Sequence, residues 1–398
     1  MTTGGYAQFF NHVLDGSVDT VLELGSRDAL DAILMADHFD AHVYAWECNP
    51  PAVDICRENI GDNPNVTLVD LACWSSEKTL TFRPVTNGNI GASSVFQANP
   101  EYPYETLYQQ KEIEVQAVRI EDWWKENVGD TKIDLLAMDL QGAELESLKG
   151  MGDLLHDVKY IITEGQHKRL YHDTPLIGDI EEYLADYGFV MMRGVDFNDW
   201  FGDFVFGRIG SYEQDGVTYF NHPYNTTMMN ERTVEIPLAL DFIADHPDYV
   251  EVGAVMPYYG HKADTVIDPF DPEATDSRRL AECDLTGKNV LCISTLEHIG
   301  LDEYGNENLN THESYEGFYQ IITQAENYLI TVPIGYNQDL DGNLEWDLED
   351  ISCYGMVRRN ALDEPPRWER VNHVNHLAYH YNYPFNAGNF VLVITNKV

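Results

Sequence analysis

The run Ile133-Asp-Leu-Leu-Ala-Met-Asp139-Leu-Gln-Gly142-Ala-Glu144-Leu-Glu-Ser-Leu-Lys-Gly150 leaves this chain few folds to choose from. An apolar stretch too short for a buried helix ends in Asp139, and helix-forming residues resume at Gly142-Ala143-Glu144. A strand buried on both faces that feeds a helix without a loop belongs to a parallel α/β sheet. In open sheets of that class, ligands bind outside the carboxyl ends of the strands. Asp139 stands at such an end. Its carboxylate either faces a site or serves only as the N-cap of the next helix.

Upstream, Val21-Leu-Glu23-Leu-Gly25-Ser26-Arg27-Asp28-Ala29 reads as a short buried strand followed by a tight glycine turn. A helix is expected from Leu30 to Phe39, then a second strand, Val43-Tyr-Ala-Trp-Glu47. Glu47 lies about 20 residues beyond the glycine, the separation at which a βαβ unit presents a carboxylate to a ribose. Gly25, lacking a Cβ, lets backbone approach a ligand closely.

Taken together, Glu23-Leu-Gly25, Glu47-Cys-Asn49-Pro50, Gly91-Ala-Ser93-Ser94, Val118-Arg-Ile-Glu-Asp122, Met138-Asp139-Leu-Gln-Gly142-Ala-Glu144, Ile162-Thr-Glu164 and Tyr187-Gly-Phe189 resemble one family. It is the FkbM-type branch of class I S-adenosylmethionine-dependent methyltransferases, and the likeness covers roughly residues 15 to 208. The resemblance implies that Glu47 binds the ribose hydroxyls of the methyl donor. It implies a methionine moiety at the Glu23-Leu-Gly25-Ser26 turn, and Asp70 with Ala72 beside the adenine, just after a third strand at Val66 to Val69. The chain departs from the family at Ala29, where a second glycine is usual, and at Arg27, where asparagine is usual.

The chain has 398 residues, which favours two domains. With 67 acidic and 24 basic residues it carries a net charge of −43, and arginine outnumbers lysine. Such a surface repels phosphate backbones, so direct nucleic-acid binding is not expected. It suits solution in concentrated salt, where screening removes self-repulsion, and points to a halophilic source, cellular or viral. The six cysteines form no CxxC pair and read as reduced thiols. Met1-Thr-Thr-Gly-Gly-Tyr has no charged or apolar leader character, and no apolar run reaches membrane-span length. The expected location is cytoplasmic, or on a particle assembled there.

Residues 210 to 232 show no periodicity and are expected as a linker between a domain at 1–209 and another at 233–398. The second half repeats the strand-turn pattern in Tyr249-Val-Glu251-Val-Gly253, Thr265-Val-Ile-Asp268 and Asn289-Val-Leu-Cys-Ile-Ser294-Thr-Leu-Glu297-His298. This too resembles a class I methyltransferase. The expected architecture is therefore α/β, two tandem Rossmann-like folds with mostly parallel sheets. The second turn is bulkier, because Met256-Pro257-Tyr-Tyr would fill the space of a methionine tail. A degenerate copy used for packing, for dimerisation into a homo-oligomer or for acceptor binding is the expectation. His373, His376 and His380 could share a helical face and bind metal, but the interleaved tyrosines favour aromatic packing. The tyrosine-rich stretch from Glu101 to Tyr108 reads as an acceptor lid or a surface loop.

Methyl transfer to a hydroxyl needs positioning, exclusion of water and a base for the proton. Asp139, Glu164 and His167 are the candidates on one rim; Glu164 could instead pair with Arg169. Metal-independent transfer is expected. The reading is O-methylation of a sugar, glycan or small-molecule acceptor, with S-adenosyl-L-methionine as cofactor. The competing reading is a non-catalytic structural or interaction module built on methyltransferase folds, as in a halophilic virus. A nucleic-acid methyltransferase is disfavoured by the charge and by the absence of an Asn/Asp-Pro-Pro-aromatic motif.

Overall fold

Val21 to Leu24 and Leu135 to Met138, two short buried runs of the first half, lie side by side at the centre of a sheet in the computed structural model. The structure describes residues 5–13, 18–103, 108–301, 310–347, 351–359, 366–372 and 379–396. Two compact units divide it at residues 209 and 210.

The first unit has strands β1 (Thr20–Leu24), β2 (His42–Trp46), β3 (Val66–Val69), β4 (Leu135–Met138), β5 (Tyr160–Gln166), β6 (Phe189–Asp196) and β7 (Phe201–Arg208). They are ordered β6-β7-β5-β4-β1-β2-β3. All neighbours are parallel except where β7 pairs with β5 and β6. The chain winds outward from β1 to β3 and then returns to β4 on the other side of β1. That reversal makes the β1–β4 boundary the switch point where such sheets bind ligands. Helices α1 (Leu30–Phe39), α2 (Pro50–Ile60), α3 (Ile120–Asn127), α4 (Glu144–Met151) and α5 (Ile177–Ala185) connect the strands. Alternation along β1 and β4 splits the core. Val21, Leu135 and Ala137 join Met35 and Val43 on one face, while Leu22, Leu24, Leu136 and Met138 join Trp46 and Trp124 on the other.

Residues 210–232 are not a linker. They open with a hairpin, β8 (Gly210–Gln214) and β9 (Val217–Asn221), turning at Asp215-Gly216, both with positive φ. Asp-Gly between alternating residues is a strong short-range hairpin signal. The hydroxyl of buried Tyr219 accepts the Trp368 N–H at 2.8 Å, tying the hairpin to the second unit's core.

The second sheet comprises β10 (Val250–Val252), β11 (Thr265–Ile267), β12 (Asn289–Ile293), β13 (Asn327–Pro333), β14 (Cys353–Arg358), β15 (Trp368–Val371) and β16 (Phe390–Thr395). Its order is β11-β10-β12-β13-β16-β14-β15, with the first four strands parallel and the rest antiparallel. The first unit's winding is thus repeated without a counterpart of β3, and the switch point lies between β10 and β12. Helices α6 (Arg232–Asp245), α7 (His312–Gln324) and α8 (Gln338–Asp347) accompany it.

All six cysteines are unpaired. Among the described residues no helix is long and apolar enough to cross a membrane, and no three His, Cys, Asp or Glu residues are grouped to hold a metal. His373 and His376 lie outside the described residues, as does the centre of the Glu101–Tyr108 stretch.

Candidate active site

The turn after β1 is built around a backbone contact only glycine allows. Gly25 has φ of 90°, and a Cβ there would lie 2.1 Å from the Asp139 carbonyl oxygen. The Gly25 and Ser26 N–H groups both donate to the Trp46 carbonyl at 2.9 Å, and the Asp139 N–H donates to Leu24 at 3.0 Å. These bonds knit the ends of β1, β2 and β4 into one rim. Arg27 and Ala29 also have positive φ, 55° and 58°, the left-handed conformation that asparagine and glycine adopt with least strain.

Glu47, one residue past β2, is held by three backbone donors. Its Oε1 accepts from Cys48 at 2.8 Å and Asn49 at 2.7 Å, and its Oε2 accepts from Arg27 at 2.8 Å. A carboxylate offers about four acceptor positions, so Oε2 retains one for a ligand hydroxyl. The same carboxylate also fixes the glycine turn.

Asp139 does not cap α4. That helix begins at Glu144, whose own carboxylate turns back to accept the Leu140 N–H at 2.9 Å and the Gly142 N–H at 3.0 Å. Asp139 is instead tied to Glu164 through Gln141, which has φ of 52°. The Gln141 amide donates to Asp139 at 2.6 Å and to Glu164 at 2.9 Å, while its oxygen accepts from the buried Tyr171 hydroxyl at 2.6 Å.

A cavity of about 270 Å³ opens over this rim. Glu23, Asp31, Glu47, Asp139, Glu164 and Asp203 line it, against one basic residue, Arg27, among the described residues. Burial drives these carboxyls upward. Glu23, to which Ser26 donates its hydroxyl, is pushed to about 8, and Asp203 to about 7 by burial and the charge of Asp139. Glu164 rises well above the carboxylate range through burial and the charges of Asp139 and Glu144. Asp139 rises by burial too, but the Gln141 amide and Arg27 oppose the shift. In this pair Glu164 holds the proton and Asp139 ionises first. Asn49 Oδ1 is buried there without a partner among the described residues. A carboxyl-rich cavity with a spare acceptor at Glu47, whose raised acids ionise more readily beside a positive charge, fits a cationic ribonucleoside.

Of the expected site residues, Glu23, Gly25, Ser26, Glu47, Ala72, Asp139 and Glu164 converge on the cavity. Asp70 does not. It pairs with Arg57 at 2.8 Å on the surface, and Leu71, Ala72 and Cys73 line the wall instead. His167 is also outside, with Nε2 at 2.7 Å from Asp196. Gln141, Asp31 and Asp203 escaped the sequence reading. Gln141 lies inside the most informative motif, whereas Asp203 sits in an apolar strand with no local signal.

Residues 32–191 match the family described as Methyltransferase FkbM domain. Over 186 residues the chain is 29% identical to 2-O-methyltransferase NoeI of Sinorhizobium fredii, covering 44% of this chain and 76% of that protein. Magnesium protoporphyrin IX methyltransferase of Synechocystis, solved with bound S-adenosylmethionine, is 14% identical over 51% of this chain and 74% of its own, with a TM-score of 0.29. Precorrin-6y C5,15-methyltransferase of Geobacter metallireducens is 13% identical over 51% and 86%, again with a TM-score of 0.29. Neither of these two likenesses bears on substrate. Within the first unit, residues 32–191 are thus similar to the FkbM-type, S-adenosylmethionine-dependent methyltransferases.

Proposed function

We propose that the first unit methylates a hydroxyl of a sugar, glycan or small molecule, with the donor seated in the cavity over Gly25, Glu47 and Asp139. The observation that carries this reading is the convergence of Glu47, with its spare Oε2 position, and five further carboxyl groups on one cavity at the switch point. The 2-O-methyltransferase relative supports an oxygen acceptor. When bound, S-adenosylmethionine supplies an electrophilic methyl on a sulfonium, whose positive charge the carboxylates favour.

Glu47 would accept from the ribose hydroxyls, and Leu71 to Cys73 would flank the base. The Gly25 turn would leave room for the amino-acid tail, with Glu23 placed to hold its ammonium and Arg27 its carboxylate. Asp139 takes the acceptor's proton as the oxygen attacks, because it ionises before Glu164 and is aimed by Gln141. The buried walls keep water from competing for the methyl group.

Calorimetry of the full chain with S-adenosylmethionine, run in molar KCl, tests the reading. Glu47→Ala removes bonds to the ribose and should weaken binding by roughly 1.5–3 kcal/mol, as for hydrogen bonds to charged groups. Unchanged affinity in a folded variant would sink the assignment. No donor binding by the unaltered chain would make the unit a structural module.

A further inference from the structure

The second unit rebuilds the ribose-reading corner of the first. Gly253, one residue past β10, has φ of 83° and donates its N–H to Ile267 at 2.9 Å, as Gly25 does to Trp46. Asp268, one residue past β11, holds the position of Glu47. Its Oδ1 accepts from Phe270 at 2.9 Å and Asp271 at 3.1 Å, and its Oδ2 approaches the Ala254 N–H at 3.3 Å. Both acids therefore grip two N–H groups just downstream with one oxygen and one N–H of the glycine turn with the other. That second oxygen has an acceptor position left in each case.

The space over this corner is open. A cavity of about 740 Å³ lies at the carboxyl ends of β10, β11 and β12, and Asp268, Gly253 and Phe270 line it. Met256, expected to fill it, is fully buried, and neither it nor Pro257 lines the cavity. The Val255 and Met256 N–H groups donate to Glu251 at 2.9 and 2.7 Å, which folds that bulk into a short helical turn away from the opening. Phe270 is 47% exposed at the cavity wall, where its ring offers a face on which a planar group can stack. The counterpart of Asp139 is not rebuilt. Where Asp139 follows β4, Ser294 follows β12, and its hydroxyl is committed to Glu235 at 2.6 Å.

We infer that the second unit is a ribonucleoside-binding site without methyl transfer, with Asp268 reading the ribose cis-diol and Phe270 stacking on the base. The comparison with Glu47 rests on the reading proposed for the first unit, whereas the cavity and the Asp268 bonds are the second unit's own.

Adenosine titrated into the full chain in molar KCl tests it. The unaltered chain should bind two equivalents, and Glu47→Ala and Asp268→Ala should each lose a different one. 2′,3′-Dideoxyadenosine should not occupy the site left in Glu47→Ala. Phe270→Ala touches none of the Asp268 bonds and should weaken the second site about tenfold, the size of one base–aromatic stack. It keeps the test open should Asp268→Ala not fold. Full stoichiometry in Asp268→Ala, dideoxyadenosine binding as well as adenosine in Glu47→Ala, or Phe270→Ala without effect would each overturn the inference. Full stoichiometry in Glu47→Ala would instead overturn the first-unit reading. S-adenosylmethionine in place of adenosine shows whether the second cavity also accepts an amino-acid tail.

Discussion

Gln141 is the residue through which the proposed base acts, although among the described residues its amide bonds to Asp139, Glu164 and Tyr171. Its bond to Asp139 lowers that carboxyl against the upward push of burial. Gln141→Ala should therefore raise the Asp139 pKa and move the acidic limb of the methyl-transfer rate to higher pH. A purely structural role would lower the rate without moving the limb, so the pH profile of kcat decides. Glu23 and Asp203, at about 8 and about 7, are protonated over much of the neutral range until a cation arrives. Arg27 and Ala29 mark a different cost. Left-handed conformations at residues with a Cβ are disfavoured by roughly 1–2 kcal/mol each. Here the turn keeps them because Glu47 and Trp46 bind its N–H groups on either side.

At the scale of elements, the same strand-turn junction serves twice, and in each copy a carboxylate past the second strand reaches an N–H of the turn. The hairpin at 210–221 belongs to this scale as well. Tyr219 stacks on Tyr212 and holds the Trp368 N–H, adding a buried hydrogen bond to the packing of Tyr219 and Phe220 against Val234 and Ile236. Tyr219→Phe leaves that buried N–H without its acceptor and should destabilise the second unit by about 1–3 kcal/mol. Denaturant unfolding followed by a probe in that unit measures it. A loss within a few tenths of a kcal/mol would mean the hairpin is ornamental.

For the whole molecule, the charge of −43 sets the response to salt. The Debye length falls from about 10 Å at 0.1 M to about 3 Å at 1 M, so self-repulsion weakens and melting temperatures should climb with KCl. A flat or falling series would disconnect the acidity from salt. The buried carboxyls set a separate response to pH. Glu23 at about 8, and Glu144, Glu251 and Asp203 at about 7, stay protonated when folded but ionise near 4.5 or below once exposed. Between those limits the folded chain binds more protons than the unfolded one, so stability falls as pH rises from about 4.5 to 8 and levels off above. Melts at fixed salt should show that slope, and it should persist in molar KCl because buried groups are screened little. Stability that rises with pH across the window would contradict the burial of these groups.

Sequence alone determined the sheet class, the central strands, the glycine turn and most of one carboxylate rim. Those features depend on local pattern: apolar runs buried on both faces, a glycine between strand and helix, and acids at or near strand ends. Only tertiary structure removed Asp70 and His167, because Arg57 and Asp196 reach them from elsewhere in the chain. It also brought in Asp203, from a strand that joins the sheet 180 residues after β1. In the second unit the sequence weighed the volume of Met256-Pro257 at the turn. The direction that volume takes is fixed by Glu251, whose bonds to two backbone N–H groups carry it clear of the cavity. Side-chain size can be read from a sequence; where the backbone sends it depends on which buried carboxylate holds the turn.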